Sequence, residues 1–94
     1  MNIFSSIKKY AGKWNQVGAD RAFTAEEIAA VDYAEVVASQ YGNSVKFCFT
    51  NGEMGFIPLS NDSSKSVGDR IDLQVAKIRT LSKPGEADIT RIVA

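Results

Sequence analysis

The stretch that decides the fold runs from Tyr41 to Ser60, YGNSVKFCFTNGEMGFIPLS. A Tyr-Gly-Asn-Ser turn cluster opens it, VKFCFT carries the β-branched and aromatic residues that strands favour, and Asn51-Gly52 is the strongest short hairpin signal. EMGFIPLS then reads as the returning strand. A two-residue turn at Asn51-Gly52 places Thr50 against Glu53, Phe49 against Met54, Cys48 against Gly55, Phe47 against Phe56, Lys46 against Ile57 and Val45 against Pro58. One face then carries Val45, Phe47, Phe49, Met54 and Phe56; the other carries Lys46, Cys48, Thr50, Glu53, Gly55 and Ile57. Burying a phenylalanine stabilises a small domain by about 1.5 to 3 kcal/mol, so the aromatic face is expected inward. The opposite assignment turns the same aromatics into a base-stacking platform.

Working outward, AEVVASQ (residues 34–40) reads as a preceding strand, RIDLQVAKIRTL (70–81) as a long strand after the polar loop 61–66, and ADITRIV (87–93) as a last one beyond the Lys83-Pro84-Gly85-Glu86 turn. Ile71, Leu73 and Val75 alternate, then Ile78 rejoins the apolar set out of phase, which suggests a bulge near Ala76 and Lys77. Five strands joined by short connections favour a small antiparallel barrel, because closure removes exposed edges.

Two helices are expected before it. Ile3, Phe4, Ile7, Tyr10, Ala11, Trp14 and Val17 recur at spacings of three and four, with Lys8, Lys9 and Lys13 off that stripe, so residues 1–22 read as a basic amphipathic helix. Its stripe can cover the chain's own barrel, a second copy, another protein or a membrane surface. In Phe23-Thr24-Ala25-Glu26-Glu27-Ile28, Thr24 and Glu27 form a capping box and Phe23 can staple to Ile28, starting a short helix that ends at about Val31. Residues 23–94 are thus a short helix plus barrel, within one domain overall.

The 94-residue chain balances eleven basic against eleven acidic side chains, which provides no global field for a polyanion. It has no histidine and a single cysteine, so neither a disulfide framework nor the usual zinc ligands are available, and no cofactor or metal is expected. The close acidic pairs Asp69 with Asp72 and Glu86 with Asp88 fall at turn edges, and Cys48 has no base nearby in sequence, so catalysis is not expected. No apolar run approaches the roughly 20 residues that span a bilayer, nor is there a signal-peptide pattern. A cytoplasmic, soluble protein is the expectation.

The order of motifs in residues 34–80 resembles the RNA-binding barrel repeat of the largest small-subunit ribosomal protein, a member of the OB-fold family. An aromatic-Gly turn (Tyr41-Gly42) leads into one strand, a Gly-aromatic pair (Gly55-Phe56) and Ser60 mark the next, and Gly68-Asp69 opens another. The resemblance implies a mainly β, five-stranded OB-like barrel that holds RNA on aromatics around the second strand. Of those positions Tyr41 matches, whereas Ser44 stands where a second aromatic is usual and Pro58 where a histidine is usual. The chain as a whole also looks like small proteins of phages.

The leading expectation is a non-enzymatic module for single-stranded RNA or DNA, with Tyr41 stacking a base and Lys46, Lys77, Arg79, Lys83 and Arg91 reaching phosphates. The alternative is a protein-interaction or assembly module that docks through Ile3, Phe4, Ile7 and Trp14.

Overall fold

A capping box starts the one helix of the described residues. In the computed structural model, which describes residues 14–94, Thr24 Oγ1 accepts from the Glu27 amide at 3.1 Å and Glu27 Oε1 accepts from the Thr24 amide at 2.8 Å. Helix α1 (Ala25–Ala30) follows, with Glu26 and Glu27 in the first turn where the helix dipole favours acids. It stops where Val31 becomes extended, and the chain passes straight into a strand.

The seven strands are β1 (Asn15–Gln16), β2 (Arg21–Ala22), β3 (Val31–Ser39), β4 (Gly42–Phe49), β5 (Met54–Pro58), β6 (Lys77–Ser82) and β7 (Ile89–Val93). They form two sheets: β3-β4-β5, and a second in which β6 pairs with β1, β2 and β7. All these pairings are antiparallel. Two single bridges connect the sheets and loops, Glu35 with Arg70 and Leu59 with Ile92. The expected closed five-stranded barrel is therefore overturned; the described residues make two sheets facing each other across a core. Ala34, Val36, Val45 and Phe47 supply one side of that core and Ile78 and Ile92 the other, with Leu59, Ile71, Leu73 and Ala76 from the connecting segment.

Three further expectations are corrected. The N-terminal helix cannot extend through 22: Asn15–Gln16 and Arg21–Ala22 are short strands on either side of a bend at Gly18, and Asn15 and Gln16 pair with Ser82 and Leu81. Its first thirteen residues lie outside those described. The long strand 70–81 exists only from Lys77, because residues 72–76 form a tight turn in which the Val75 and Ala76 amides both donate to Asp72 O. The phase change at Ile78 comes from this turn and not from a bulge, and Val75 is left 71% exposed.

The third correction concerns the hairpin. Its loop has three residues, Thr50-Asn51-Gly52: the Gly52 amide donates to Phe49 O at 3.0 Å and the Phe49 amide to Glu53 O at 2.9 Å. Gly52 has φ +88°, the left-handed conformation such loops require at this position. One extra loop residue slips the register by one, so Cys48 faces Met54, Phe47 faces Gly55, Lys46 faces Phe56 and Val45 faces Ile57. Because side chains alternate with period two, that slip sends all of β5 to the other face. Val45 and Phe47 are buried as expected, and Phe49 packs half-buried beside them. Met54 and Phe56, expected with them, are instead 63% and 59% exposed, and Ile57 takes their place inside.

Candidate nucleic-acid interface

The slipped register creates an outer sheet face with a definite composition. Directly opposed residues share a face, so Tyr33 lies beside Cys48 and Met54, Glu35 beside Lys46 and Phe56, and Val37 beside Ser44 and Pro58. Two aromatics, Tyr33 and Phe56, thus flank a lysine on one side of a three-stranded sheet.

Arg70 joins them from the segment that lies along β3. Its guanidinium sits 3.9 Å from the centre of the Tyr33 ring, within cation–π range, and Lys46 Nζ lies 5.8 Å from the same ring. Glu35 stands between the two cations, 3.6 Å from Lys46 and 3.8 Å from Arg70. Two positive charges and one negative leave this cluster with one net positive charge. The Tyr33 hydroxyl is held above the ordinary phenol range, chiefly by the neighbouring Cys48 sulfur, so it is neutral at pH 7. Lys46 is also held above its ordinary value, chiefly by Tyr33, and it stays charged.

The residues expected at a nucleic-acid site are dispersed. Lys46 belongs to the face just described. Tyr41, 93% exposed at the β3–β4 turn, borders a cleft of about 270 Å³ with Pro58, Asn61 and Arg91. Arg79 and Arg91 face each other across β6 and β7, a like-charge pair that needs compensation. Arg79 receives it: its guanidinium donates twice to Asp20, at 3.1 and 3.2 Å, and lies 3.5 Å from Asp62. These carboxylates raise its pKa and neutralise it as a phosphate contact, Asp20 contributing most. Lys77 is exposed at the start of β6, whereas Lys83 sits past its other end with Nζ 5.7 Å from the Trp14 ring centre. Of the expected patch, Lys77, Arg79 and Arg91 thus share one face of the β6–β7 pair, with Arg79 its ion-paired member, and Lys83 lies beyond the end of β6.

Of the expected partner-docking residues, Ile3, Phe4 and Ile7 lie outside those described, and Trp14 is half-buried beside Lys83. Sequence reading did not single out Tyr33 or Arg70, and it set Phe56 on the face of Phe47 and Phe49 rather than beside Lys46. The signal for Phe56 was one loop residue, since a three-residue hairpin would have placed it beside Lys46. Nothing local indicates that Arg70 reaches Tyr33.

Among the described residues no group of His, Cys, Asp and Glu side chains is arranged to hold a metal ion. No helix among them is long and apolar enough to cross a membrane. Compared with known proteins, the chain matches no family model, no curated protein and no solved structure.

Proposed function

We propose that the protein is a non-catalytic binding module that holds a single-stranded nucleic acid on the outer face of β3-β4-β5. The observation that carries this reading is the placement of Tyr33 and Phe56 on either side of Lys46, with Arg70 over Tyr33. Aromatic faces accept any base, and stacking is worth about 1 to 3 kcal/mol per base. The interleaved cations supply the phosphate contacts, and Tyr41 extends the surface at one end. Titration of isotopically labelled protein with a short oligonucleotide tests it. Amide shifts should concentrate at Tyr33, Lys46, Phe56 and Arg70; shifts confined to the opposite sheet, or none, would refute the placement.

A second reading, a protein-interaction module, is favoured by one feature. An apolar cleft of about 350 Å³ opens between Phe23, Phe47, Phe49, Phe56, Ile57 and Ile78. A partner that filled it would protect these residues from solvent exchange without requiring any nucleic acid.

A further inference from the structure

The two aromatics of the outer face differ in what covers them. The Arg70 guanidinium lies over the Tyr33 ring at 3.9 Å. Lys46 leans the same way, with Nζ 5.8 Å from that ring and 3.6 Å from Glu35, although Phe56 is its directly opposed neighbour on β5. Among the described residues no cation lies over Phe56, which is exposed. Phe56 is thus the open stacking position.

Glu35, Lys46 and Phe56 form one row across β3, β4 and β5. Adjacent strands lie about 4.8 Å apart, so Glu35 starts about 10 Å from Phe56. A base stacked on Phe56 and laid along the row carries its edge over Lys46 to the Glu35 carboxylate. Those carboxylate oxygens stand 3.6 Å from Lys46 Nζ and 3.8 Å from Arg70 Nε, too far for hydrogen bonds, and among the described residues they accept none. A carboxylate has about four accepting sites, so the two cations hold Glu35 in place while its accepting capacity is unspent.

We propose that Glu35 makes this position selective for guanine, an inference that rests on the outer face of β3-β4-β5 holding a single-stranded nucleic acid. Glu35 presents two acceptors side by side, and Lys46 presents a donor next to them. The Watson–Crick edge of guanine has the complementary order: two adjacent donors, N1–H and N2–H, and then the O6 acceptor. The carboxylate accepts from both N–H groups, and Lys46 donates to O6; an ammonium has three donors, so Lys46 keeps others for a phosphate. Cytosine and adenine set one amino donor beside a ring-nitrogen acceptor, and thymine and uracil set one N–H between two carbonyls. Each of these turns a lone pair toward the carboxylate and leaves a polar group without a partner. Stacking tolerates any base, so the discrimination comes from Glu35.

Anisotropy titrations with short oligothymidines whose central base is thymine, adenine, cytosine, guanine or hypoxanthine test this. The guanine probe should bind the native protein at least about fivefold tighter than the thymine, adenine and cytosine probes, the low end for a bidentate contact. Hypoxanthine lacks the N2 amine and should lose most of that gain, a comparison that needs no variant. Glu35→Gln presents one acceptor and one donor in place of two acceptors. It should abolish the guanine preference yet bind the all-thymine probe at least as well as the native protein, because a negative charge has left the surface. Equal binding of all five probes, preference for another base, or a guanine preference unchanged in Glu35→Gln would overturn the role of Glu35 and leave the nucleic-acid reading standing. Binding of none of the probes by the native protein would overturn both.

Discussion

Lys46 and Phe56 stand directly opposite one another on β4 and β5, and both side chains leave the sheet on its outer face. That pairing exists because the hairpin loop holds three residues. With two, Phe56 would have met Phe47 inside. The same slip removes two large apolar side chains from the core and supplies an aromatic to a surface that already carries a cation.

Phe47 and Phe56 should therefore respond in opposite ways to truncation. Phe47→Ala empties a core position and should cost about 3 to 5 kcal/mol of stability. Phe56→Ala should change the melt little, yet weaken oligonucleotide binding by the roughly 1 to 3 kcal/mol of a lost stack. Denaturant melts and fluorescence titrations of the two variants separate these effects.

The loop itself depends on Gly52. An alanine there must adopt the left-handed conformation, which costs roughly 1 to 2 kcal/mol, although its Cβ would meet no neighbour within 4 Å. Gly52→Ala should lower the denaturation midpoint by that amount without moving the Phe56 environment. A shift of the Phe56 ring resonances to buried values would mean that the register had changed.

Arg79 is assigned to structure and not to ligand. Its bonds to Asp20 join residues 59 positions apart, and losing them leaves Asp20 half-buried without its partner. Arg79→Gln should destabilise by roughly 1.5 to 3 kcal/mol, the range for hydrogen bonds to charged groups. Oligonucleotide affinity of the folded fraction should remain within about twofold, because the guanidinium is already neutralised.

Glu27 predicts a specific acid response. The Arg21 guanidinium, at 2.8 and 3.2 Å, and then the Thr24 amide hold its carboxyl at about 2, below the ordinary 4.5. A depressed carboxylate stabilises the fold above its unfolded value, and that contribution is lost as pH falls from about 4.5 through about 2. The pair is substantially solvent-exposed, so screening limits the effect to about 1 kcal/mol or less. Glu27→Gln should flatten this part of the stability-versus-pH curve, measured by melts between pH 5 and pH 2.

What was legible in the sequence was local. The Thr24–Glu27 box and the Pro84-Gly85 turn are short-range devices, and both occur as expected: the Glu86 amide donates to Lys83 O at 3.0 Å, with Gly85 at φ +80°. The hairpin was legible in place but not in register, because Asn-Gly serves both two- and three-residue loops. The turn at residues 72–76 was hidden because Leu73, Ala76 and Ile78 keep an apolar pattern that a bulged strand also satisfies. The site was harder still. Arg70 over Tyr33 and Asp20 on Arg79 are products of tertiary packing, and residue types alone could not show which cations are free.

The most direct measurement is fluorescence anisotropy of a labelled single-stranded oligonucleotide at 50 and 200 mM salt, with a Tyr33→Ala/Phe56→Ala double variant alongside. Two phosphate contacts, by Lys46 and Arg70, imply a log–log salt slope of about −1.4 at about 0.7 per contact, or roughly a sevenfold loss across that range. The account predicts this slope for the native protein and at least about tenfold weaker binding by the variant, from the loss of stacking. Absence of binding at 50 mM salt, or equal binding by the variant, would contradict it.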